Sequence, residues 1–152
     1  MTAETRTPRD SSVEMNELVL PQHTNHHDTA FGGVIMSWID ICAAMTAFRH
    51  ARCPVVTASM DQLDFLAPIR RGHMVNLQAM VNHVGRTSME VGVRVESEDP
   101  FTGTRVHAAS AYLTFVAVDE GGAPREAPRL TCETPAEKLR SRQAQARREQ
   151  RL

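Results

Sequence analysis

The stretch "FGGVIMSWIDICAAMTAFRHAR", Phe31 to Arg52, carries one long apolar pattern. Val34, Trp38, Ile41, Met45 and Phe48 recur at three- and four-residue spacing, which predicts a helix. Ile35, Ile39 and Cys42 widen the stripe, and Ala43, Ala44 and Ala47 are small. A helix apolar over so much of its circumference is wrapped by other structure. It begins at Gly32-Gly33 and carries one carboxylate, Asp40, which is costly there unless something pairs with it.

Outward from the helix the pattern is β. Before it, "VEMNELVLP" predicts a first strand ending at Pro21, followed by the polar loop "QHTNHHDT". After Pro54, "VVTASMDQLDFLAP", "HMVNLQAMVNHV", "SMEVGVRVES" and "RVHAASAYLTFVAVD" read as strands separated by "IRRG", "GRTS" and "EDPFTGT" turns. Met89, Val91, Val93 and Val95 alternate with Glu90, Arg94 and Glu96. The expected architecture is α+β, an antiparallel sheet curled around the one long helix. Such a sheet leaves an edge and part of a face uncovered, so at least a dimer is expected. Residues 1–12 are polar and expected to be mobile, 13–119 form the folded domain, and 120–152 form a polar, basic tail. From Lys138 onward the tail is basic with few large apolar residues, which reads as a solvated helix or disorder, or as an arm attracting an anionic ligand or partner.

The 152 residues carry 17 basic and 18 acidic side chains, a net charge of -1, so no global bias points to nucleic acid or a membrane surface. No run approaches the roughly 18 apolar residues needed to span a bilayer. Cys42, Cys53 and Cys132 lack metal-type spacing and suit reduced thiols in a cytoplasm. His23, His26, His27 and Asp28 crowd one loop, but no matching ligand motif follows, so no metal site is expected.

Chemistry has three candidate places. Gly32 and Gly33 leave N–H groups free at the positive end of a helix, donors that suit a developing oxyanion; equally, they permit the turn. Asp40 lies about two turns beyond Gly33 and returns to the same side, as a candidate base, nucleophile or plain edge acid. The "GRTS" turn, Gly85, Arg86, Thr87 and Ser88, offers a guanidinium and two hydroxyls to a phosphate, and Arg70 and Arg71 in the preceding connection are candidates to join it. Asn25 alone reads as a turn-forming loop residue.

Taken together, "N-x5-FGG-x6-D" (Asn25, Phe31-Gly32-Gly33, Asp40), "VTASMDQLDFLAPIRRG" and "VGRTSMEVGVRVE" resemble the hotdog-fold acyl-CoA thioesterases of the cytosolic acyl-CoA hydrolase group, from about Leu18 to Asp119. The resemblance implies a hotdog fold, dimers that assemble further into hexamers, and active sites at the dimer interface. It makes Asn25 of one subunit and Asp40 of the other the catalytic pair and Gly33 a donor to the thioester oxygen. It makes Arg86, Thr87 and Ser88 contacts for coenzyme A. The substrate implied is an acyl-CoA, with no separate cofactor, and a non-catalytic acyl-CoA or coenzyme A binding module is the alternative. Phe31 points toward the acyl-CoA hydrolase branch, and the lack of histidine from Gly33 to Arg49 argues against dehydratase chemistry.

Overall fold

A computed structural model describes residues 4–151. In chain order the elements are β1 (Thr5–Arg6), α1 (Pro8–Ser11), β2 (Val13–Leu18), a 3-10 turn (Pro21–His23), α2 (Gly32–Ala51), β3 (Val55–Phe65), β4 (Met74–Val84), β5 (Ser88–Glu98), β6 (Arg105–Ala117), β7 (Arg129–Leu130) and α3 (Pro135–Arg151). Five of the strands form one antiparallel sheet in the order β2-β4-β5-β6-β3, so β2 and β3 are its edges. The sheet packs on α2. Rows such as Ala79–Val93–Ala111–Leu63 run across four strands and supply the surface on which the helix lies.

Helix α2 starts after an extended Phe31 and stops at Arg52, whose backbone turns left-handed (φ 56°) while its N–H closes onto the Phe48 carbonyl at 2.9 Å. The buried side of α2 is Ile35, Trp38, Ile39, Cys42, Ala43, Thr46, Ala47 and His50. This corrects the phase of the expected stripe, because Ile41, Met45 and Phe48 stand 51%, 38% and 49% exposed. Small residues at 42, 43 and 47 let the backbone approach the sheet, and the larger apolar side chains turn away from it. Phe31, Met36, Val56, Phe65 and Leu66 are exposed as well, and edge strand β3 is exposed along much of its length. That much uncovered apolar surface calls for another chain.

Inside, the Cys42 thiol is pushed up to about 11 by burial, and all three cysteines are free. His50 is fully buried; its Nε2 meets the Pro128 carbonyl at 2.7 Å and its Nδ1 has no partner among the described residues. Burial lowers its pKa, so the ring is held neutral.

Both termini are more ordered than expected. β1 pairs in parallel with β7, Pro8 and Ser11 are buried, and Arg49 Nη1 donates to the Ser12 carbonyl at 2.8 Å. The segment expected to be mobile, 1–12, thus carries β1 and α1, and its first three residues lie outside the described ones. The tail holds a 17-residue helix opened by a capping box. Thr134 Oγ1 accepts from the Glu137 N–H at 3.1 Å, while Glu137 Oε1 accepts from the Glu133 and Thr134 N–H groups. Those backbone bonds hold the Glu137 carboxyl below its usual range.

Helix α3 lies on the outer face of the sheet through polar side chains. Arg147 donates through Nε and Nη2 to the two carboxylate oxygens of Glu90, 2.8 Å each, and its guanidinium lies 3.6 Å above the Tyr112 ring. Asn82 Nδ2 also donates to Glu90, at 3.1 Å. Gly92 makes room for this cluster, since a Cβ there would lie 2.7 Å from Asn82 Nδ2. Ala144, on α3 itself, is buried. Hydropathy does not reveal such a latch, which is why the tail read as solvated.

Candidate active site

The loop before α2 is shaped by Asn25. Its Oδ1 accepts from the N–H of His27 (2.9 Å), the N–H of Thr29 (3.3 Å) and Thr29 Oγ1 (3.2 Å). Because those backbone groups are donors, the oxygen must face them, and the Nδ2 amide, which donates to nothing among the described residues, is left for a ligand. Asp28 adopts φ 63° and is pinned by Arg71, whose Nε lies 3.0 Å from Oδ1 and whose N–H donates to the Asp28 carbonyl. Thr29 and Arg70 form an isolated bridge. His23 Nδ1 accepts from the Leu20 N–H, and the His26 and His27 rings lie against each other.

Within one chain Arg70 and Arg71 do not stand beside the "GRTS" turn. They precede β4, whereas Gly85–Ser88 follows it, and 11 extended residues put roughly 30 Å between the two ends. Within one chain these arginines brace the Asn25 loop.

Gly33 belongs to the same end of the molecule as that loop. The Phe31 N–H bonds to the His23 carbonyl at 2.7 Å, fixing where α2 begins, and the first helical bonds to the Phe31 carbonyl come from Val34 and Ile35. The Gly32 and Gly33 N–H groups donate to nothing among the described residues. A Cβ at Gly33 would stand 3.1 Å from the Phe31 ring, so a side chain there would push the ring from the helix mouth.

Asp40 lies seven residues on, about 10 Å further along the helix axis. It is half-buried at the margin between the packed and open sides, and its Oδ1 accepts from Thr57 Oγ1 at 3.0 Å. Thr57, on edge strand β3, was missed in the sequence because a lone threonine in a strand has no signature. Strand register places Ser88 opposite Val116 and Val116 opposite Val56, so the "GRTS" turn lies about two strand spacings, roughly 10 Å, from the start of β3. The turn is closed by the Gly85 N–H donating to the Ser88 carbonyl, while the Arg86 and Thr87 carbonyls anchor Ala127 and Ala117. Arg86 is exposed and points to no described carboxylate.

One chain therefore carries two separated sets of chemical groups. Donors, Asn25 Nδ2 and the Gly33 N–H, gather at one end of α2. The acceptor Asp40, with Thr57, faces outward two turns later, on the side nearer the "GRTS" turn. A concavity of the single chain lies elsewhere, on the outer sheet face beside Glu14, Asn82, Arg94, Tyr112 and Arg140, and neither Asn25 nor Asp40 lines it.

The thioesterase superfamily matches residues 27–103, the span from the Asn25 loop through β5. The chain belongs to that superfamily. Its fold is the hotdog fold, an antiparallel five-stranded sheet with one long helix. An uncharacterized acyl-CoA thioester hydrolase of Bacillus subtilis, YkhA, is 48% identical over 136 residues, covering 90% of this chain and 79% of that protein. An acyl-CoA hydrolase of Staphylococcus aureus, solved with butyryl coenzyme A, coenzyme A and coenzyme A disulfide, superposes with a TM-score of 0.91 at 44% identity, over 97% of this chain and 90% of that one. Solved variants of that hydrolase replace an aspartate, an asparagine or a threonine by alanine, the asparagine variant holding coenzyme A. An apo-hexameric acyl-CoA thioesterase superposes at 0.94 with 43% identity, over 97% of this chain and 95% of that one. Among the described residues no helix is long and apolar enough to cross a membrane.

Proposed function

We propose that this thioesterase-superfamily chain hydrolyses acyl-CoA to a free fatty acid and coenzyme A, in active sites shared between two subunits. The observation that carries the reading is the division of groups along α2. The donor Gly33 sits about 10 Å along α2 from the acceptor Asp40, and Asn25 lies in the loop before the start of that helix; two copies packed through the exposed apolar side of α2 bring the donor set of each to the acceptor of the other. The relatives support the chemistry by their names. The spacing supports the residues: the aspartate altered in the Staphylococcus aureus hydrolase lies fifteen positions after the altered asparagine and seventeen before the altered threonine, as Asp40 does between Asn25 and Thr57.

Asp40 accepts a proton from water as the water oxygen attacks the thioester carbonyl. The partner's Gly33 N–H and Asn25 amide receive the charge forming on the carbonyl oxygen. Collapse of the tetrahedral adduct breaks the C–S bond, and the coenzyme A thiolate takes the proton from Asp40. Thr57 holds the Asp40 carboxylate in one rotamer. Direct attack by Asp40 through a mixed anhydride uses the same geometry. Arg86, Thr87 and Ser88 face the nucleotide of coenzyme A, and the soluble assembly expected is a dimer built into a hexamer, working in the cytoplasm without a further cofactor.

Thiol release from a panel of acyl-CoAs tests this. Saturable turnover with a defined chain-length preference is the expected result. Saturable binding with no free thiol would leave a binding module instead.

A further inference from the structure

The basic end of α3 meets the "GRTS" turn. Arg148 follows the latch residue Arg147, and its guanidinium lies in the space that a side chain at position 85 would fill. An ideal Cβ on Gly85 would clash with Arg148 Nη1, lie 3.2 Å from its Cζ, and lie 3.0 Å from Ser88 Oγ. Gly85 thus admits a cation from a distant part of the chain to the turn itself.

Among the described residues Arg148 forms no ion pair, and the acid lining the same small cleft, Glu90, is already occupied by both arms of Arg147 and by Asn82. His83 lines the cleft too; burial first, and then the charge of Arg148, lower its pKa. The result is a half-buried guanidinium beside Ser88, with Arg86 exposed and Thr87 between them. A fixed cation beside hydroxyls, with the neighbouring Glu90 carboxylate already held by Arg147 and Asn82, suits a phosphate oxygen.

We propose that Arg148, delivered by the docked C-terminal helix, is a further contact for the phosphates of coenzyme A. This rests on the acyl-CoA reading above and assigns part of substrate binding to the tail. The Arg147–Glu90 latch then serves binding as well as stability, since it sets where Arg148 stands.

The test compares Arg148→Gln with the parent on two substrates bearing the same acyl group, an acyl-CoA and an acyl-pantetheine, which lacks the nucleotide and its phosphates. Arg148→Gln is expected to raise KM for the acyl-CoA about tenfold with kcat unchanged, the scale of one charge-assisted hydrogen bond. KM for the acyl-pantetheine stays as in the parent, Arg148→Lys recovers part of the loss, and the gap narrows at high salt. An unchanged KM for acyl-CoA, or an equal rise on both substrates, overturns the role of Arg148. A parent protein that releases no thiol from either substrate overturns the acyl-CoA reading itself, so the two failures are distinct.

Discussion

Replacing Asp40 by asparagine is expected to lower thiol release from acyl-CoA by about a thousandfold, within the range of roughly 10² to 10⁴ for a positioned general base. Asparagine has nearly the same shape, and its Oδ1 still accepts the Thr57 hydroxyl that now lies 3.0 Å from the carboxylate. What disappears is the capacity to take a proton from water or to attack the thioester. The side chain is half-buried at the helix margin, so the melting temperature is expected to move little, and coenzyme A binding, assigned in the proposal to the turn at Arg86–Ser88, should persist in calorimetry. Parent-like turnover by this variant would remove Asp40 from the mechanism.

The second large effect is on stability. Arg147→Ala leaves the Glu90 carboxylate, 6% exposed, with only the Asn82 amide as hydrogen-bond partner among the described residues. An uncompensated buried charge costs about 3–5 kcal/mol. For a chain of this size that corresponds to a fall of roughly 10 °C in melting temperature. Loss of the latch should also free α3, so trypsin should cut at Arg140 and Arg142 earlier than in the parent. The paired change Glu90→Gln with Arg147→Met removes both charges and is expected to recover most of the loss. A melting temperature unchanged in Arg147→Ala would mean that α3 is held by something other than this pair.

The long helix and its strands were legible because their apolar periods are strong, and the order of elements follows from them. The phase of the helix was not. Ile41, Met45 and Phe48 are as apolar as Ile35 and Ile39, and hydropathy alone does not tell a face turned toward the chain's own sheet from one left for a second copy. Asp40 posed its question correctly, but half of the answer, Thr57, comes from register between the helix and an edge strand seventeen residues away. The partner of Arg71 within the chain was not legible, because its pair with Asp28 joins residues 43 apart in sequence through the Asn25 loop. The tail hid a visible signal: "TPAE", Thr134 to Glu137, is a capping box with proline at the first helical position, a helix start independent of hydropathy.

The shared active site is tested most directly by mixing two inactive variants. Asn25→Asp keeps an acceptor for the loop and loses the free amide donor; Asp40→Asn loses the base. In a random one-to-one hybrid about half the dimers carry one of each, and each of those has one site with both native residues, so about a quarter of the parent activity should return. If the hybrids remain as inactive as the two variants alone, while coexpression demonstrably mixes the subunits, Asn25 and Asp40 do not meet across a subunit boundary.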